Sequence, residues 1–79
     1  MSADLESAGR LFSQGLEQHL AGHWSVAEAL YRDALALAPG RPSILFNLGR
    51  LALDRKRFGE AESWLSEFVR ATPRASHAS

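Results

Sequence analysis

The sequence predicts an all-α fold of four helices arranged as two antiparallel helix–turn–helix hairpins. Three observations predict it. Apolar residues recur every three to four positions along four successive segments, the period of an amphipathic helix. Glycine, proline or a short basic run separates those segments. The stretch GHWSVAEALYRDALALAP (22–39) returns 34 residues later as KRFGEAESWLSEFVRATP (56–73), with Phe58 where Trp24 stood, Ala61 for Ala27 and Pro73 for Pro39. A repeat of this kind is one supersecondary unit used twice, which builds a surface more readily than a catalytic centre.

The first helix is expected from about Ala3 to Ala21, with Leu5, Ala8, Leu11, Phe12, Leu16 and Leu20 on one stripe. Gly9 and Gly15 each cost about 1 kcal/mol against alanine in a helix interior. Gly15 calls for a compensating close approach of another helix. Gly22 stops the helix, since glycine accepts the left-handed conformation just past a helix end.

The second helix, about Trp24 to Ala38, is rich in alanine and presents Ala27, Leu30, Tyr31, Ala34, Leu35 and Leu37. Pro39 and Gly40 end it, and Pro42 suits the first turn of the third. That helix runs to about Arg55 with Ile44, Leu45, Leu48, Leu51 and Ala52 inward. The basic run Arg55–Lys56–Arg57 sits at its C-terminal end, where positive charge meets the helix dipole favourably. The fourth, about Phe58 to Ala71, presents Ala61, Trp64, Leu65, Phe68 and Val69. Small residues at Gly15, Gly49, Ala27 and Ala61 let the helices of each hairpin approach closely, with Trp24 and Phe58 expected as core beside them. Residues 74–79 carry no pattern and read as a frayed tail.

Composition narrows the function. Seventy-nine residues make one domain, 1–79, and the chain has no cysteine, so no disulfide or thiolate–metal site staples it. The N-terminal stretch has neither a secretory signal nor a membrane span, and a cytoplasmic location with no membrane partner is expected. The net charge is zero, which argues against nucleic acid as a partner. The charge is nevertheless unevenly spread. Residues 1–38 hold five acids and two bases (−3), and residues 39–79 hold seven bases and four acids (+3). Head-to-tail attraction between copies follows as one expectation.

No constellation for catalysis stands out. His19 and His23 have a metal-compatible spacing, but Gly22 breaks the helix between them and no third ligand is near. No serine sits in a nucleophile elbow and there is no glycine-rich phosphate loop. The basic run at 55–57 lacks interleaved aromatics and reads as a solvated turn. The expectation is therefore no enzyme, no cofactor and no metal site.

Aligning the two units, 8–41 and 42–75, gives identities at Leu11/Leu45, Phe12/Phe46, Gly15/Gly49, Ala27/Ala61, Glu28/Glu62 and Pro39/Pro73. With Gly22 at the turn, Trp24 and Tyr31 as aromatics and Ala34 near the end of the second helix, the first unit resembles the tetratricopeptide repeat. The second unit matches at Leu45, Leu48, Gly49, Phe58, Ala61 and Pro73. It departs at Lys56 for the turn glycine, Leu65 for the aromatic and Phe68 for the alanine. The resemblance implies that the hairpins stack as a short right-handed α-solenoid whose first helices line a concave groove. Matched to this chain, the groove residues are Phe12, Leu16, Phe46, Asn47, Arg50 and Leu53, suited to a peptide or helix with hydrophobic anchors. A subclass of the family clamps acidic chaperone tails with lysine and asparagine. Asn47 matches one such position, but Phe12 and Leu16 replace the others, so that clamp is rejected.

A second surface is expected on the fourth helix, where Trp64, Leu65, Phe68 and Val69 would form an uncovered apolar face that favours self-association into a homo-oligomer. The function implied is a non-enzymatic protein–protein interaction module. Two alternatives stand beside it: a pure assembly element, or the N-terminal repeats of a longer, catalytic chain.

Overall fold

The structure, a computed structural model, describes residues 2–72, with side chains from Asp4 onward. The repeat's closing Pro73 and the tail 74–79 lie outside the described residues. Four helices make up the fold: α1 (Ser2–Leu20), α2 (Trp24–Leu37), α3 (Pro42–Asp54) and α4 (Phe58–Ala71). No strand occurs among the described residues, so the all-α reading as helical hairpin repeats holds. The chain forms two compact units, Met1–Pro39 and Gly40–Ser79.

In the first unit α1 packs along α2 around Tyr31, which is 0% exposed. The close approach that Gly15 called for is to this ring. A Cβ at Gly15 would lie 2.6 Å from both Cδ1 and Cε1 of Tyr31. Phe12 and His19 flank the glycine on α1 and complete the seat. Their rings lie 5.7 Å and 6.0 Å from Tyr31, the second edge-on, and His19 Nδ1 hydrogen-bonds the Tyr31 hydroxyl at 3.1 Å. Leu5 and Leu20, expected on the apolar stripe, are exposed instead. Leu5 lies toward the end of the 19-residue α1 that the 14-residue α2 does not reach, and Leu20 is the last residue of α1, at the turn.

The second unit repeats this plan with one change. Gly49 again leaves a hole, filled by Leu65, whose Cδ2 would be 2.7 Å from a Cβ added there. The aromatic on α4 is Phe68, one turn further on, with its ring 5.3 Å from that of Phe46. The core residues Ile44, Leu45, Leu48, Leu51, Ala52 and Ala61 are all buried.

Both hairpins turn in the same way. At the end of α1 the N–H of Gly22 bonds to the carbonyl of His19 (3.0 Å) and that of His23 to Gln18 (2.8 Å). At the end of α3 the N–H of Lys56 bonds to Leu53 (2.9 Å) and that of Arg57 to Ala52 (2.8 Å). These paired bonds satisfy the last carbonyls of each helix and require a left-handed residue between. Gly22 supplies it at φ +85° and Lys56 at φ +59°. Lysine thus does a glycine's work in the second turn.

A further expectation is overturned. Trp24 and Phe58 were expected in the core, but they are 37% and 63% exposed. Each is the first residue of its helix, and a helical side chain leans toward the helix N-terminus. Their rings therefore project past the end of the interhelical seam.

Candidate interaction surfaces

On α1, Phe12 and Leu16 lie one turn apart and are half-buried, Phe12 being held against Tyr31. On α3, Phe46 stands at the equivalent place, partly exposed, with its ring held against Phe68. Asn47 is half-buried and its Nδ2 donates to the carbonyl of Ser43 at 2.8 Å, so part of its donor capacity is used within α3. Arg50 is exposed. Leu53, near the end of α3, is 41% exposed.

The residues expected on two separate surfaces meet within the second hairpin. Phe46 pairs with Phe68, and the Cβ of Trp64 lies beside Leu65 over Gly49. Trp64 and Phe68 are consequently half-buried in the hairpin. Leu65 and Val69 instead join Leu53 in an open depression of about 650 Å³. The buried Ala61 and the exposed Phe58 also line it. Glu62, Ser66 and Arg70 complete its lining along one edge of α4.

Sequence reasoning did not place Phe58, Glu62, Ser66 or Arg70 on a surface site. The signal that finds them is their spacing. Residues 62, 66 and 70 fall on one line down a helix, beside the line that carries Phe58, Leu65 and Val69. The equivalent positions in the first hairpin, 34 residues earlier, are less open at the centre. Tyr31 is fully buried and Leu35 half-buried, whereas Leu65 is half-buried and Val69 is 65% exposed.

The electrostatics are those of a solvated surface. Glu28–Arg32 (3.0 Å) and Glu67–Arg70 (2.8 Å) are exposed pairs within single helices, each worth a few tenths of a kcal/mol. His23 Nδ1 lies 2.8 Å from Gln18 Oε1. Among the described residues no group of three or more His, Asp or Glu side chains could hold a metal ion, and no helix is long and apolar enough to cross a membrane. The arrangement offers apolar contact framed by a few charges.

A family model for the tetratricopeptide repeat matches residues 5–76. No curated protein and no solved structure matches the chain.

Proposed function

Because the chain belongs to the tetratricopeptide repeat family, whose repeats are in general non-catalytic protein–protein interaction modules, we propose that it binds a peptide or helix of a protein partner and associates with itself. The observation that carries the first part is the pair Phe12 and Phe46. They hold equivalent positions, and each ring is braced by an aromatic of its own hairpin while part of it stays accessible. A braced aromatic loses little side-chain entropy on binding, which is what an anchor for a hydrophobic partner needs. Leu16 extends the apolar contact in the first hairpin, and Leu53 in the second. Arg50 can donate to a carboxylate or a backbone carbonyl, and the side-chain oxygen of Asn47 can accept from a backbone N–H, polar contacts that fix the orientation of a bound segment.

Self-association belongs to α4. Leu65 and Val69 supply the contact, and Trp64 and Phe68 hold the helix in place. The protein acts in the cytoplasm, where a chain without cysteines loses nothing to reducing conditions.

A peptide selected from a display library against the purified protein tests the binding reading. Phe46→Ala with Arg50→Ala is expected to weaken that peptide at least tenfold while circular dichroism stays helical. Unchanged affinity contradicts it. Replacing Phe68 is unsuitable as a test of self-association, because it also removes the partner of Phe46. Val69, which faces solvent, is the cleaner position.

A further inference from the structure

We propose that the open face of α4 is a two-fold contact on which a second copy of this chain lays its own α4 antiparallel, with Glu62 of each copy opposite Arg70 of the other. This refines the self-association proposed above and stands only with it. The centre of the face is apolar, with Phe58, Leu65 and Val69 each open in part to solvent. An exposed apolar face favours a cover of matching character, and three candidates within residues 1–79 can be compared. Residues 73–79 (PRASHAS) contain no large apolar side chain. The α1 helix of another copy does not suit either. The positions at which α3 buries Ile44, Leu48 and Leu51 are Arg10, Gln14 and Glu17 on α1, all exposed. The outer stripe of α1 is polar, so head-to-tail addition of copies would set charges and an amide against an apolar floor. The helix that does carry the right stripe is α4 itself.

Charge favours the same pairing and fixes its direction. Glu62 and Arg70 sit four residues before and four after Ser66, on the edge of the depression. They are about 12 Å apart along the helix. In an antiparallel pair centred on Ser66, each residue four before the centre meets the one four after it, and both contacts join glutamate to arginine. A parallel pair would set Glu62 against Glu62 and Arg70 against Arg70. A pattern that complements itself under a two-fold rotation is what an isologous interface requires. The first hairpin handles the same glutamate differently. Glu28 pairs with Arg32 at 3.0 Å, and the position of Arg32 holds Ser66 in the second hairpin. A small residue there lets two helices approach at the axis. Arg70 already bonds Glu67 at 2.8 Å, an exposed pair that exchanges at little cost.

Light scattering behind a sizing column tests this with two charge reversals. The wild-type chain is expected at twice 8.7 kDa. Glu62→Arg and Arg70→Glu each create two like-charge contacts, and each alone is expected to weaken the dimer by about 10- to 100-fold. Mixed in equal amounts, the two variants are expected to dimerise again with each other, because both contacts become opposite-charge in the mixed pair. Single reversals that leave the dimer unaltered, or a mixture that stays monomeric, would overturn the antiparallel α4 contact while leaving self-association standing. A wild-type chain that is monomeric at all concentrations would remove self-association itself. Such a result would leave the face to another protein or to a further segment.

Discussion

Gly9 and Gly15 share α1, yet they meet opposite surroundings. Nothing lies within 4 Å of a Cβ added at Gly9, whereas one at Gly15 would strike the buried Tyr31 ring. Gly9→Ala is therefore expected to stabilise the protein by about 1 kcal/mol, the helix-propensity difference. Gly15→Ala gains the same propensity but overpacks a ring that has no room to yield, for a net loss of about 1–2 kcal/mol. Thermal melts of the two variants should move in opposite directions. Lys56 offers a third test at this scale. A left-handed lysine costs about 1–2 kcal/mol, partly offset by the greater chain entropy that glycine loses on folding. Lys56→Gly is expected to raise stability by about 0.5–1 kcal/mol, read from denaturant midpoints.

At the scale of helices, two of the three departures of the second repeat, Leu65 and Phe68, turn out to be one change. The first hairpin places an aromatic at Tyr31 and an alanine at Ala34, and the second has Leu65 and Phe68 in the corresponding places. The ring has moved one turn along α4 and still packs on the equivalent partner position, Phe12 in one hairpin and Phe46 in the other. Phe68→Ala alone is expected to cost about 2 kcal/mol, being a half-buried large-to-small change. Adding Leu65→Tyr should recover at least about 1 kcal/mol, since Gly49 provides the hole that Gly15 provides for Tyr31. Additive losses in a double-mutant cycle would contradict the transposition. The helices and turns themselves were legible in the sequence, because a 3.6-residue stripe bounded by Gly22, Pro39 and Pro42 leaves little freedom. The transposition was not, because comparing aligned positions one at a time makes Leu65 and Phe68 look like two unrelated exceptions. Nor was the exposure of Trp24 and Phe58, which depends on the backward lean of a side chain at a helix start rather than on residue type.

For the molecule as a whole, what matters is the difference between its first and last helices. The outer stripe of α1 is Arg10, Gln14 and Glu17, and the open face of α4 is Phe58, Leu65 and Val69 framed by Glu62 and Arg70. The sequence expectation grouped Trp64 and Phe68 with Leu65 and Val69, because all four fall on a broad apolar arc. The packing of Phe68 on Phe46 marks the held side of that arc and the exposed Val69 its open side, with Leu65, seated over Gly49, lying between and reaching both. An interface of this make-up should weaken only modestly in salt. Near 1 M, where charges are screened within about 3 Å, the Glu62–Arg70 contacts fade while apolar burial persists. The most direct test of the open face as an interface is the solution mass of Val69→Glu beside that of the wild-type chain. The account predicts a dimer for the wild type and a folded, helical monomer for the variant. A wild-type monomer, or a variant that keeps the dimer mass, would contradict it.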